Sequence, residues 1–192
     1  MRKKFKINEI FYSIQGEGAN VGMPAIFVRF SGCNQTCAFC DTDHQPFFEY
    51  SEQRIREDVE NLQKENNCKN IIWTGGEPTL QLEDNMLFYF VNKGYRNYIE
   101  TNGTGVVPKL MDYITYSPKE GSIVVLKRVD EVRIPISAGM NLPEIENLPK
   151  AKNYFISPID VSDKNIKYCL ELIKRNSRWK LSAQMHKLLN IK

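Results

Sequence analysis

The stretch AIFVRFSGCNQTCAFC, Ala25 to Cys40, joins an apolar strand to a loop that carries three cysteines in the spacing C-x3-C-x2-C. Ala25 to Phe30 reads as a strand because a short apolar run bounded by turn residues suits a buried sheet position. Arg29 interrupts the run. It stands in phase with Ala25 and Phe27, so its side chain shares their face and points inward, away from the helices. A buried arginine needs an anionic partner. Either a ligand carboxylate or a structural acid such as Glu100 would serve.

Outward from this stretch, β-rich apolar runs recur at Asn70–Thr74, Tyr95–Glu100, Tyr113–Tyr116, Glu131–Ile136, Asn153–Ile156 and Trp179–Ala183. Helical periodicity lies between some of them. Ile55, Val59 and Leu62 share a face within residues 51–67, and Leu82 to Lys93 is a second helix stopped by Gly94. Ile166, Leu170 and Ile173 share a face after a cap at Ser162. Strand alternating with helix predicts a parallel sheet with crossovers. The connections after Ser117 and Ser137 are short and bear Gly and Pro, so the last crossovers reduce to turns or one-turn helices. Five strand ends carry small or polar signatures: Ser31-Gly32-Cys33, Thr74 to Pro78, Glu100 to Gly103, Ser117-Pro118-Lys119 and Ser157-Pro158-Ile159-Asp160. Any one of them alone is an ordinary turn. Together they place one large site beyond the carboxyl ends of the strands.

The chain has 192 residues. That suits one domain, residues 1–192, and falls short of the roughly 250 residues of a full eight-unit β/α barrel. Hydrophobic residues make up 42% and charged residues 26%, a globular profile. A formal charge of +3, with acids scattered among the bases, gives no support to nucleic-acid binding. No apolar run approaches the ~18 residues of a membrane span. The basic start is interrupted by Asn8 and Glu9 before an apolar stretch forms, so it does not read as a signal peptide. Five cysteines, three of them crowded together, indicate a reduced cytoplasmic protein with a metal site rather than a disulfide framework. Cys68 and Cys169 complete no motif and read as small apolar fillers.

Three thiolates on one loop can converge on a metal centre. Iron–sulfur clusters normally take four cysteines. A loop supplying Cys33, Cys37 and Cys40 leaves one iron of a cubane open to a ligand, by the logic that separates catalytic from structural metal sites. A competing reading adds His44 to make a Cys3His zinc site of a non-catalytic module. A plain electron carrier needs a fourth cysteine, often followed by Pro, and Cys40 is followed by Asp41.

With Phe39 before the last cysteine, the chain resembles the radical S-adenosyl-L-methionine (SAM) superfamily, and Thr74-Gly75-Gly76-Glu77-Pro78 matches that superfamily's GGEP motif. The resemblance implies a shortened, incomplete (β/α)6-type partial barrel. It also implies a 4Fe–4S cluster held by Cys33, Cys37 and Cys40, whose open iron chelates SAM and yields a 5′-deoxyadenosyl radical. Gly75, Gly76 and Glu77 would meet the SAM amino group, and Phe39, Cys40 and Asp41 would lie against the rest of it. Further SAM contacts would come from Gly103, Ser117, Pro118, Lys119, Ser157, Pro158, Ile159 and Asp160. Ser157 stands where Gln is usual.

Within the superfamily, Phe11 to Gly18 (with Gln15-Gly16-Glu17-Gly18), Pro24 to Arg29, Cys40-Asp41-Thr42, Glu100 to Thr104 and the tail His186 to Ile191 resemble one branch. That branch converts 6-carboxy-5,6,7,8-tetrahydropterin to 7-carboxy-7-deazaguanine, with release of ammonia, on the route to queuosine and other deazapurines. By that resemblance Ile14, Gln15, Gly16, Glu17, Arg29, Thr101 and His186 bind the pterin, Arg29 through its carboxylate. Thr42 would be the protein ligand of a Mg2+ ion. No residue stands out as a general base. The tail is either a cover over the substrate or a final capping segment. Implied partners are the pterin, a reducing electron donor such as flavodoxin and a second copy in a homodimer, with neither nucleic acid nor membrane. A glycyl-radical activating enzyme, also small and SAM-dependent, is the rival within the superfamily.

Overall fold

The computed structural model describes residues 3–40, 45–119 and 121–192. They form one nine-stranded sheet. β1 (Lys4–Ile14) pairs antiparallel with β2 (Pro24–Phe30) on one side and β3 (Phe48–Ser51) on the other. From β2 onward every pairing is parallel: β4 (Asn70–Gly75), β5 (Arg96–Thr101), β6 (Tyr113–Tyr116), β7 (Glu131–Ile136), β8 (Asn153–Pro158) and the two-residue β9 (Lys180–Leu181). The six parallel strands β2 and β4–β8 are the partial barrel that the resemblance implies. β1 and β3 are additions that the apolar-run reading passes over. In β1, residues such as Lys4 and Lys6 alternate with buried Phe5 and Ile7, so it has no continuous apolar run.

Helices α1 (Glu52–Asn66), α2 (Asp84–Asn92) and α3 (Asp163–Arg175) form the expected crossovers. Ser51 caps α1 by accepting from the Arg54 N–H at 3.2 Å, and Ser162 caps α3 by accepting from the Asn165 N–H at 3.4 Å. Ile55 and Val59 of α1 pack with Ile26, Val28 and Phe30 of β2 in one core cluster, in which Trp73 meets Phe90 of α2 edge-on at 5.6 Å. Phe27 and Arg29, on the opposite face of β2, line a cavity instead. The alternation read from the sequence is therefore the one the sheet uses.

Two expectations need correction. The face of α3 is rotated: Asn165 and Cys169 are buried and Leu170 is exposed, because Asn165 docks by accepting from the Ala138 N–H at 2.8 Å and donating to Asp160 at 3.0 Å. The strand expected over Trp179–Ala183 shrinks to Lys180–Leu181, and Trp179 spends its bulk in the second core cluster, edge-on to Tyr154 at 5.8 Å. Burial pushes the Cys169 thiol up to about 11, as befits a filler. Among the described residues the crossovers from β6 to β7 and from β7 to β8 carry no α-helix, only a one-turn 3-10 helix at Ile145–Asn147. Among the described residues no helix is long and apolar enough to cross a membrane.

Candidate active site

The loops after β2 and β4 are locked together. The Gly76 N–H donates to the Phe30 carbonyl at 2.9 Å, and the Glu77 N–H donates to the Gly32 carbonyl at 3.0 Å. A Cβ on Gly76 would lie 1.9 Å from the Gly32 oxygen, and one on Gly75 would lie 2.1 Å from the Phe30 oxygen. Only glycine permits this approach, and Gly75 also has a φ of +114°. The cysteine loop thus rests on the Gly75-Gly76 backbone. Cys33, Cys37 and Cys40 line one cavity of about 430 Å3, together with Thr74, Gly75 and Gly76.

One side of the cavity is an acidic network around Arg133. This arginine is 4% exposed. Its Nη2 donates to Glu100, its Nη1 lies 3.4 Å from Glu17 and its Nε lies 3.9 Å from Glu131. Gln15 Nε2 donates to the other Glu100 oxygen at 2.9 Å, and Ser157 Oγ donates to Glu17 Oε1 at 2.7 Å. Glu131 accepts from the Ala19 N–H at 2.9 Å and the Tyr113 hydroxyl at 3.0 Å. Burial nevertheless pushes the Glu131 carboxyl up, since Arg133 spends its terminal nitrogens on Glu100 and Glu17 and reaches Glu131 only at the limit of ion-pair range. The sign follows from linkage. A raised folded-state value favours the protonated fold, so that contribution to stability is complete below the ordinary carboxylate range and is lost as pH rises through the raised value. The Glu131→Gln variant keeps an acceptor for Tyr113 and Ala19 without having to ionise. Its Tm relative to the parent, followed by circular dichroism from pH 4.5 to 8, is expected to climb with pH. A pH-independent difference would show that Glu131 is ionised across the range.

The β1–β2 side is basic and aromatic. Arg29 Nε lies 3.0 Å from Glu9 Oε1, whose other oxygen accepts from Lys192 Nζ at 2.5 Å. Burial would raise the Glu9 carboxyl, but hydrogen bonds from Lys192 and Arg29, with their charges, outweigh it and hold it below the ordinary range. Phe11 and Phe27 stack at 5.1 Å, with the Arg29 guanidinium 5.7 Å and the Lys192 ammonium 4.9 Å from the Phe11 ring centre. The tail closes over this side. The Met185 N–H donates to the Gly16 carbonyl at 3.0 Å, and Gln184, His186, Lys187, Ile191 and Lys192 line the cavity.

The structure therefore brings Ile14, Gln15, Gly16, Glu17, Arg29, Phe39, Thr101, Ser117, Lys119, Ser157, Pro158, Ile159 and His186 to the cavity wall beside the three cysteines, Gly75 and Gly76. Lys119 Nζ sits 5.7 Å from the Phe39 ring centre. Four residues fall elsewhere. Glu77 is fully buried, and its carboxylate accepts from the Thr79 N–H and hydroxyl, the Thr101 hydroxyl and the Asn102 N–H at 2.6–3.1 Å. It braces the β5 loop rather than facing a ligand. Asp160 accepts from the Ser162 N–H and the Asn165 side chain and so organises the start of α3. Gly103 packs on the Tyr116 ring, and neither it nor Pro118 lines the cavity. The ion pair of Arg29 runs to Glu9, not Glu100, which Arg133 has taken. Asp41, Thr42 and His44 lie outside the described residues.

The donor set fits an iron–sulfur cluster with one open iron: three thiols share one cavity wall beside the Gly75-Gly76 backbone. Burial is the main cause that raises the Cys37 thiol; Lys119 opposes it, and neighbouring Cys40 and Cys33 add to it. Crowded thiols of this kind are relieved by cationic irons.

Residues 27–129 match the model of the radical SAM superfamily. Over 187 residues the chain is 40% identical to a 7-carboxy-7-deazaguanine synthase of Bacteroides thetaiotaomicron, covering 97% of this chain and 98% of that protein. The chain belongs to the 7-carboxy-7-deazaguanine synthase family. A second relative of that name, from Haemophilus influenzae, is also 40% identical and covers 97% of this chain and 94% of its own. The crystal structure of QueE from Escherichia coli superposes with a TM-score of 0.76 over 95% of both chains at 24% identity, a likeness of fold. As a radical SAM protein, a 7-carboxy-7-deazaguanine synthase carries a 4Fe–4S cluster and uses SAM. Residues on the cavity wall that escape the motif reading include Glu9, Arg133, Gln184 and Lys192, and Glu100 enters that reading only as a structural acid. Arg133 had a usable signal. Glu131-Val132-Arg133-Ile134 alternates charge and apolar residue within a buried strand, the pattern that singles out Arg29 in β2.

Proposed function

We propose that the chain is a radical SAM lyase that converts 6-carboxy-5,6,7,8-tetrahydropterin to 7-carboxy-7-deazaguanine with release of ammonia, in queuosine or related deazapurine biosynthesis. The observation that carries this reading is the split polarity of one cavity. A basic, aromatic wall at Arg29, Lys192, Phe11 and Phe27 faces the same space as an acidic wall at Glu17 and Glu100. A pterin acid has the complementary split, with a carboxylate at one end and the N–H donors of its aminopyrimidine at the other.

Cys33, Cys37 and Cys40 would hold the cluster, and the backbone at Gly75 and Gly76 would take the SAM amino group. When bound, the cluster and SAM supply the 5′-deoxyadenosyl radical that takes the hydrogen from C6 of the pterin. The work of the chain is positional. Arg29 anchors the substrate carboxylate, Gln15, Gly16 and Glu17 orient the ring, and the tail with His186 excludes water. Thr42 is proposed to ligate a Mg2+ that organises the substrate carboxylate and ring carbonyl, a metal that usually keeps water and substrate ligands. We read residues 1–192 as one radical SAM domain acting in the cytoplasm as a homodimer, reduced by a donor such as flavodoxin.

The test is anaerobic. Reconstituted protein given SAM, a reductant and 6-carboxytetrahydropterin is expected to form 7-carboxy-7-deazaguanine, detected by mass. SAM should survive many turnovers, because the hydrogen returns from deoxyadenosine. Unchanged pterin in a protein that holds its cluster and cleaves SAM would defeat the assignment.

A further inference from the structure

The acidic wall is overcharged. One guanidinium, that of Arg133, serves three carboxylates: Glu17, Glu100 and Glu131. Among the described residues the ion pairs of Glu17 and Glu100 run to Arg133 alone. Even with Glu131 neutral, Glu17 and Glu100 leave a formal surplus of one negative charge beside the cavity. Unpaired charge is costly at such a site. The surplus therefore marks where a ligand's donors belong. Glu100 is the best placed acceptor. It stands on β5, and both its oxygens are held, Oε2 by Arg133 and Oε1 by Gln15 at 2.9 Å. A carboxylate oxygen has two acceptor positions, so each of these oxygens keeps one for a ligand.

We propose that Glu100 is a specificity-determining residue that accepts hydrogen bonds from the 2-amino group and adjacent ring N–H of the pterin, with Arg133 as its positioning residue. This rests on the reading of the substrate as a carboxylated pterin. Two parallel N–H donors meeting a carboxylate reproduce the planar fork of a guanidinium–carboxylate pair. The site then rejects a ring in which oxygen replaces the 2-amino group. That oxygen would face the carboxylate as one acceptor against another, leaving buried polar groups unpaired. A site built to bond an N–H excludes the analogue lacking it by roughly 10^4-fold.

Two compounds test this: 6-carboxytetrahydropterin and its 2-oxo counterpart, the corresponding lumazine. Wild-type protein is expected to bind and turn over the pterin in strong preference, about 10^3-fold or more. Equal equilibrium affinity for the two compounds in the wild type overturns the inference without any variant. In Glu100→Gln, Arg133 secures the amide oxygen, so the amide NH2 takes the remaining position and now suits an acceptor. The pterin-to-lumazine ratio of kcat/KM is expected to collapse by about 100-fold or more, the effect of converting one matched hydrogen bond into a mismatch. An unchanged ratio defeats the assignment. Arg133→Lys keeps the charge but loses the planar fork. It is expected to raise KM for the pterin at least 10-fold and to narrow the same ratio, with cluster content and uncoupled SAM cleavage preserved. A lower yield or Tm with the ratio intact in the protein that folds would make Arg133 merely structural. Failure of the wild type to turn over the pterin at all would instead count against the proposed function.

Discussion

Cys33→Ala protein is expected to come through anaerobic purification and reconstitution without the brown absorbance of a 4Fe–4S cluster and to turn over no substrate. Removing one of three thiolates leaves two irons without a protein ligand, and the open-iron arrangement that suits SAM is lost. The fold should persist. Cys33 is only partly buried and accepts one long contact, from Asn102 Nδ2 at 3.9 Å, while its loop stays pinned by the Gly76–Phe30 and Glu77–Gly32 hydrogen bonds. The matching readouts are therefore iron content near zero, no deoxyadenosine formed, and a circular dichroism spectrum like that of the parent. Turnover by this variant would refute the ligand assignment.

Arg29→Ala is expected to separate substrate handling from cluster chemistry. The guanidinium sits among Glu9, Phe11 and Phe27 on the cavity wall, and its loss would remove the cation proposed to anchor the substrate carboxylate. Truncating one partner of such a charge pair costs about 2–5 kcal/mol, which is roughly 30- to 5,000-fold in kcat/KM. Glu9 keeps Lys192 as a partner, so the wall itself should hold. The contacts of Arg29, to Glu9 and Phe11, involve none of the three cysteines, so the cluster should be retained with slow uncoupled cleavage of SAM. If the variant instead loses its cluster or its fold, Arg29 serves structure and the carboxylate is read elsewhere.

The contrast between Arg29 and Glu9 shows where sequence reading succeeds. β2 is apolar on both faces, so a charged residue within it stands out, and its phase with Ala25 and Phe27 places it on the inward face. β1 faces water along part of its length, so Glu9 looks like one more exposed acid among Lys6, Asn8 and Ser13. Only the strand pairing that places Glu9 opposite Arg29 distinguishes it. Glu77 illustrates a second limit. A motif fixes the residue type but not whether its carboxylate turns to the ligand or back into the fold, and here four hydrogen bonds from neighbouring loop groups turn it back. In α3, periodicity favoured the strongest apolar residues. A buried polar anchor, Asn165, outweighed Leu170, and no hydrophobic pattern registers such an anchor.

The trimmed crossovers on either side of β7 bear on how the chain can change. Among the described residues no α-helix links β6 to β7 or β7 to β8, only loops and the turn at Ile145–Asn147, and Ile123 and Met140 lie exposed within those loops. Lengthening such a loop costs closure entropy that grows only with the logarithm of its length. Segments inserted near Ile123 or Met140 would leave the strand register untouched. These loops are where a tether or reporter can be grafted at the least cost to strand pairing.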